Sequence, residues 1–487
     1  MKRLSLSWLN KFGEIHPSNV AIISNRKLTY SELNEKVTKR ISAIVSAGVS
    51  KNSRVALIQK NSVDFIVNLF ALWKLGATPI PINFRLPVSE IKEQIGFISP
   101  ALIITDDAKI KDSLKKLNFP IRSRFNSGKN SKAELPTDKI SLNDTALLMF
   151  TSGSASKPKC VELTFRNLIY GANNVNNLIG AKPDDKWLAS LPFYHIGGFS
   201  IIVRALIRGS AIVLPKELST SSIIQSVSKH SPDYLSLVPT MLKNILAEKE
   251  NVFTKTKAIF LGGSAIGDQL VSTIVKKKLS VIIVYGSTET ASMVTASTSD
   301  DYKRFPRAAG RPIGENKILI SGKRENALSV GKIGDVVVSS QAVAKGYFNN
   351  PKLTKAFFTN AGYVTNDVGY VNKEGLLFIK RRKDAVIISG GENIDLDALQ
   401  KEILKLKSIS DAYLFGLPDE KWGTALAAAI VTKDKKKCAA EIEKKLKGIK
   451  KPKILYFVKE LPKTELGKVN KSVLLKILGI NEKRRLG

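Results

Sequence analysis

An α/β fold is predicted: a large N-terminal domain of doubly wound sheets with a small β subdomain, then a small mobile α+β C-terminal domain. Three observations predict it. Short β-branched apolar runs alternate with amphipathic helical stretches through most of the chain, the signature of βαβ units. Past Arg311-Pro312 the texture changes to short strands, and beyond Asp384 to a basic α+β segment. Finally, 487 residues exceed what one hydrophobic core usually serves. The boundary is placed at Asp384, giving domains 1–383 and 384–487.

Taken in order, Arg54 to Ile58 reads as a strand. Ser62 then caps a helix whose Phe65, Ile66, Leu69, Phe70 and Trp73 recur at helical spacing until Gly76 ends it. Thr78 to Ile82 is the next strand, and a helix after Pro87 with the strand Ala101 to Thr105 repeats the pattern, so a parallel sheet follows. Phe125 to Asp138 is rich in Asn, Ser, Gly, Lys and Pro and reads as a surface connection. Thr164 caps a helix carrying Leu168, Ala172, Val175 and Leu178 on one face. Ile201 to Leu206 packs as a helix, with strands at Ser210 to Leu214, Ala258 to Leu261, Val281 to Gly286 and Asp335 to Ser339. The C-terminal segment offers strands at Tyr413 to Gly416, Ala427 to Val431 and Ile454 to Val458. Its helices lie near Leu396 to Leu406 and Ala439 to Lys447.

The two cysteines, Cys160 and Cys438, cannot make a disulfide framework, and no Cys/His cluster has zinc spacing. The apolar stretch after the basic start, Met1 to Lys11, stops too early for a signal peptide, and no later run approaches membrane-spanning length. A reducing, cytoplasmic setting without membrane insertion is expected. The net charge of +35 would ordinarily suggest nucleic acid or an anionic membrane surface. Yet the lysines are scattered along the whole chain with no aromatic-spaced basic motif. A solvated lysine-rich surface, and no specific nucleic-acid partner, is the reading adopted.

Chemistry concentrates in four stretches. Phe150-Thr151-Ser152-Gly153-Ser154-Ala155-Ser156-Lys157-Pro158-Lys159-Cys160 combines small residues, hydroxyls and lysines, which lets backbone N–H groups curl around one anion. Pro158 keeps Lys157 out of helical geometry, so strand, loop, strand is expected rather than a loop that opens a helix. An ordinary solvated loop also fits this run alone. The second stretch is Tyr285-Gly286-Ser287-Thr288-Glu289-Thr290 at the end of a buried strand, where ligands of α/β sheets gather. The third runs from Asn366-Asp367 through Arg381-Arg382-Lys383-Asp384 to Gly390-Gly391-Glu392-Asn393, and the fourth is Leu461 to Lys468.

In their order and spacing these stretches resemble the adenylate-forming superfamily of acyl-CoA ligases, luciferases and peptide-synthetase adenylation domains. The resemblance spans about Leu28 to Lys468. Within the superfamily, Leu191 to Ser200, Tyr285 to Ser292 and Ile387 to Ile394 look most like the branch of ligases that act on 2-succinylbenzoate. The resemblance implies an acid–CoA ligase that works through an acyl-adenylate, with ATP, Mg²⁺ and coenzyme A. Thr151, Ser152, Gly153, Ser154 and Lys159 would hold the phosphates, Glu289 the metal, and Thr288 the region of the α-phosphate. Gly263, Tyr285 and Gly286 would border the adenine, although a tight strand-end turn explains Gly262-Gly263 equally well. Asp367 would accept both ribose hydroxyls, with Arg382 at the family's interval after it and Asp384 on the hinge. Lys468 would contact the reacting carboxylate during adenylation. It would withdraw when the small domain turns and brings Gly391 toward coenzyme A.

For the acid, His195, Gly198, Arg204 and Ser292 are the expected contacts. His195 has a competing reading as a core histidine. Arg204, the proposed partner of a second carboxylate, has one as a helical arginine snorkelling to solvent. The sequence departs from the family at Ala155, Ser156 and Cys160, at Asn366, and at Leu396 and Ala398. A ligase for another aryl or medium-chain acid, or a nucleotide-binding protein without turnover, therefore stays open. A homodimer is also left open.

Overall fold

The computed structural model describes residues 12–123, 125, 140–151, 158–322, 326–389, 391–420, 422–464, 467 and 469–480. By its contacts the chain divides into two compact units. One comprises Met1–Leu319, Val337–Val364 and Gly375–Leu377; the other comprises Ile320–Val336, Thr365–Glu374 and Phe378–Gly487.

Helix Val63–Lys74 illustrates how local signals build the first unit. The Ser62 hydroxyl accepts from the Phe65 amide, and Gly76 follows the helix at φ +68°. Every residue from Phe65 to Trp73 is buried, so this helix lies inside and not at the surface. Its large apolar side chains each contribute about 1.5–3 kcal/mol by burial. Its two buried polar side chains are satisfied, Trp73 by donating to the Ala146 carbonyl at 2.7 Å and Asn68 by donating to Gln59 at 2.9 Å.

The expected βαβ pattern forms a four-stranded parallel sheet in the order Thr78–Pro81, Arg54–Ile58, Leu102–Thr105, Ile121–Arg122. A nine-stranded sheet runs Arg311–Pro312, Ser292–Ser297, Val281–Ser287, Ala258–Leu261, Tyr234–Leu237, Lys186–Leu188, Ala211–Val213, Val20–Ile23, Lys27–Thr29. Its six central strands, from Val281–Ser287 to Val20–Ile23, are parallel to one another. Their carboxyl ends consequently share one edge, which gathers Ala189 onward, Gly262-Gly263 and Gly286 to Glu289. The strand Thr145–Thr151 pairs antiparallel with Lys159–Thr164, with Thr151 opposite Lys159, and Gly346-Tyr347 forms a third strand of this sheet. The strand, loop, strand expectation is met by its flanks; residues 152–157 lie outside the described residues, as do 126–138 of the surface connection.

Two boundaries differ instructively. The helix expected from Ile201 begins at Ile196, directly after extended His195, although two glycines, poor helix formers, occupy its first turn. The helix expected from Ala439 begins at Lys435, where the Asp434 carboxylate accepts from the Lys437 amide.

In the second unit, Asp411–Asp419 pairs antiparallel with Gly423–Val431, which pairs parallel with Ile454–Val458. Leu426, Ala428 and Ile430 face helices Leu396–Ile403 and Lys435–Lys445, while Ala427 and Ala429 face helix Lys471–Ile477. Period-two alternation with small residues thus buries both faces of one strand.

Candidate active site

The Thr145–Thr151 and Lys159–Thr164 pair delivers Lys159 to the strand-end turn Thr288–Thr290, where its ammonium lies 2.9 Å from Glu289 Oε1. The same oxygen accepts from the Tyr347 hydroxyl at 2.9 Å, and the ammonium stands 4.3 Å from the Tyr347 ring centroid. Glu289 is 5% exposed. Burial opposes its ionisation, but the Lys159 charge and the hydrogen bonds around it outweigh that and hold its pKa below the ordinary carboxylate range. Burial, and then Glu289 itself, push the Tyr347 hydroxyl far up, so it stays a donor. The backbone is tied in as well, with Ala344 N–H donating to the Glu289 carbonyl at 2.8 Å.

Lys159, assigned to phosphate, is thus turned toward the metal candidate, and Thr151 donates to the Lys159 carbonyl at 3.4 Å. Thr288 is half-exposed beside Glu289. Ser152, Gly153 and Ser154 lie outside the described residues. Among the described residues no group of three or more His, Cys, Asp or Glu side chains is arranged to hold a metal. A single buried carboxylate is nevertheless the donor set that suits Mg²⁺, which dehydrates reluctantly and takes one or two carboxylates plus phosphate oxygens.

At the same sheet edge Gly263 is exposed at φ +86°, and Gly286 is exposed on strand Val281–Ser287. A Cβ at Gly262 would meet Val284 at 2.8 Å, so the tight-turn reading is physically real, and it leaves an exposed backbone shelf next to half-buried Tyr285.

His195 precedes helix Ile196–Arg208 and is partly exposed, which overturns the core-histidine reading; its ring lies 4.8 Å from that of Tyr194. At Gly198 a Cβ would come within 2.2 Å of the Pro192 carbonyl oxygen, so that position closes the helix start onto the preceding loop. Arg204 does not snorkel. It is 1% exposed, and its guanidinium lies 5.5 Å and 5.8 Å from the Trp187 and Phe260 ring centroids. Nη2 donates to Ser292 Oγ at 3.1 Å, whereas among the described residues Nε and Nη1 have no hydrogen-bond partner. The helix drives it inward because its neighbours on that face are buried and the sheet floor offers ring faces in place of solvent. Burial lowers its pKa to about 9, which leaves it a cation at neutral pH. Ser292 sits at φ +105° directly after Ala291 at φ +51°, two non-glycine residues in the left-handed region, and Ser200 Oγ also approaches it at 3.4 Å.

In the second unit Asp367 is 9% exposed within Gly362–Val371, and its amide donates to Thr365 Oγ1 at 3.0 Å. Arg382 forks onto Asp384 through two 2.8 Å hydrogen bonds and stands 3.8 Å from Asp367. The three residues expected around the ribose and hinge therefore form one cluster. Gly391 turns the hairpin Val386–Ser389 to Glu392–Asp395 at φ +82°, a conformation that favours glycine. Lys468 lies outside the described residues. Beside it, Lys463 bridges to Val469 and Gly467 N–H donates to the Thr464 carbonyl at 2.8 Å.

Sequence reasoning missed Tyr347. Tyr347 is far from Glu289 in the chain and arrives only because its strand pairs Val161; the Gly-Tyr before Asn349-Asn350-Pro351 carries no acid or base to flag it.

The family model described as AMP-binding enzyme matches residues 9–348, and that described as AMP-binding enzyme C-terminal domain matches residues 400–468. A 2-succinylbenzoate–CoA ligase of Bacillus cereus (strain Q1) is 30% identical over 94% of this chain and 95% of its own. One from Bacillus mycoides (strain KBAB4) is 30% identical over 97% and 98%. The structure of o-succinylbenzoate CoA synthetase from Bacillus subtilis in complex with its acyl-adenylate intermediate superposes with a TM-score of 0.87 at 26% identity, covering 96% of this chain and 97% of that one. The same synthetase with ATP and magnesium ion gives 0.86 at 26% identity, covering 96% and 98%.

Proposed function

The chain belongs to the AMP-binding enzyme family, and from that premise we propose that it is an ATP-dependent acid–CoA ligase. It joins 2-succinylbenzoate to coenzyme A through an acyl-adenylate, releasing pyrophosphate and then AMP. The relatives named for this activity support it along nearly the whole chain. The observation that carries the choice of acid is Arg204. A buried guanidinium with two nitrogens that have no hydrogen-bond partner among the described residues is costly unless an anion arrives, and an acid with a second, non-reacting carboxylate supplies one.

In this reading Thr151, Ser152, Gly153, Ser154 and Lys159 hold the triphosphate. The Lys159–Glu289 pair opens as it binds, so that Lys159 turns to phosphate and Glu289 faces the metal. Magnesium, when bound, neutralises charge on the phosphates. Thr288 donates near the α-phosphate, Gly263, Tyr285 and Gly286 border the adenine, and Asp367 accepts from the ribose with Arg382 beside it. His195, Gly198 and Ser292 line the acid, and Arg204 pairs with its distal carboxylate. Lys468 contacts the reacting carboxylate oxygens. Asp384 is the hinge about which the domain 384–487 turns, bringing Gly391 toward coenzyme A. Among the described residues no helix is long and apolar enough to cross a membrane, and both cysteines are free and buried; action in the cytoplasm belongs to the same proposal.

Incubation with MgATP, labelled pyrophosphate and 2-succinylbenzoate is expected to give acid-dependent exchange of label into ATP. Nucleotide binding without exchange, for this or any acid, would replace the ligase with a binding protein.

A further inference from the structure

The stretch Leu191 to His195 follows a strand of the nine-stranded sheet, yet it is gripped from the other parallel sheet. Asn61 lies just past the carboxyl end of strand Arg54–Ile58. Its Nδ2 donates to the Leu191 carbonyl at 2.8 Å and its Oδ1 accepts from the Phe193 amide at 2.9 Å. One side chain thus satisfies both the acceptor and the donor that flank Pro192, as a neighbouring strand would. The pairing also fixes the amide orientation, because a flipped Asn61 would set N–H against N–H and oxygen against oxygen.

Aromatic contacts follow the same path. Phe65 packs on Phe193 at 5.1 Å, and Phe84, just past the carboxyl end of strand Thr78–Pro81, meets the Tyr194 ring edge-on at 5.7 Å, which in turn meets His195. From the opposite side Gly198 closes onto the Leu191 and Pro192 carbonyls, where no Cβ fits.

We propose that Asn61, seconded by Phe84, is a positioning residue for the acid. It acts through the Leu191 to His195 stretch, so that the smaller sheet sets where His195 meets the substrate without touching it. This rests on the ligase reading only for the identity of what His195 meets. Two measurements separate the two. Amide hydrogen exchange of Phe193 in the full chain tests the clamp without any reaction, and should quicken by about tenfold or more in Asn61→Ala. Kinetics then test the role. Asn61→Ala is expected to raise KM for the acid by roughly tenfold or more while KM for ATP stays within about twofold of the parent.

Asn61→Asp supplies the readout that a merely structural role would not move. The ionised carboxylate can only accept and repels the Leu191 carbonyl, whereas the protonated acid donates to Leu191 and accepts from Phe193. The ratio of its acid KM to that of the parent, taken at each pH, is therefore expected to fall toward one only as pH drops through the ordinary aspartate value of about 4. Should Asn61→Ala fail to fold, Asn61→Asp and Phe84→Leu carry the same test. A faster-exchanging Phe193 with unchanged acid KM overturns the proposal and leaves the ligase standing, as does a pH-independent ratio. A parent inactive with every acid removes the ligase, and the exchange result still decides the clamp.

Discussion

Arg204 is the residue on which the chemistry of the acid turns. Its pKa is pushed down by burial to about 9, below the ordinary arginine value, so between those two values the unfolded chain binds the extra proton. Stability therefore rises with pH across that interval, and at neutral pH the charged side chain is a net cost that a bound carboxylate offsets. Arg204→Leu is expected to leave the ligand-free protein as stable as the parent or more so, measured by denaturant midpoint. It should weaken the diacid by roughly 10- to 100-fold, the scale of a hydrogen bond to a charged group, with KM for benzoate unmoved. A variant that kept its preference for the diacid would remove this role. The sequence showed an arginine in an apolar helix and allowed two readings, inward to a ligand or outward to solvent. The difference is made by Trp187 and Phe260, distant in the chain, whose ring faces line the buried side.

At the scale of the element, the paired strands Thr145–Thr151 and Lys159–Thr164 were legible because a hydroxyl-rich loop with Pro158 cannot open a helix. What local rules could not show is the partner of Lys159, since Glu289 and Tyr347 reach it through two other strands. Helix ends were read best where a capping side chain marks them, as at Ser62 and Thr164, and worst at His195, whose extended backbone carries no such mark. Lys159→Met is expected to destabilise the ligand-free protein by about 3–5 kcal/mol, because it strands a buried carboxylate. Tyr347→Phe should cost only about 1–2 kcal/mol in the same denaturation experiment. Since the folded pKa of Glu289 is lowered, the stability it contributes is present above the ordinary carboxylate value and is lost as pH falls through the lowered one. Lys159→Met should flatten that acid limb, and an unchanged limb would mean the pair contributes nothing.

For the whole molecule, the chain divides into a larger and a smaller unit, and residues 320–336, 365–374 and 378–383 cluster with the C-terminal segment. That grouping was invisible to a reading by sequence order, which divides a chain at one point. The division of labour proposed for the small domain makes opposite predictions for two residues. Lys468→Ala should lose roughly 100- to 1000-fold in adenylation yet still convert a preformed acyl-adenylate to thioester. Asp384→Pro, which stiffens the backbone and breaks the fork with Arg382, should impair the thioester step instead. Single-turnover assays of each half-reaction decide this, and equal losses in both would contradict it. The +35 net charge enters the account only as a field that favours anionic ATP and coenzyme A, so oligonucleotide binding at physiological salt should be weak.

The most direct test of the central claim is a comparison of kcat/KM for thioester formation from 2-succinylbenzoate, benzoate, 4-coumarate and octanoate at saturating MgATP and coenzyme A. The account predicts that the aromatic diacid exceeds each monoacid by roughly 10-fold or more, the worth of one charge-assisted contact to Arg204. Preference for any of the three monoacids would contradict it.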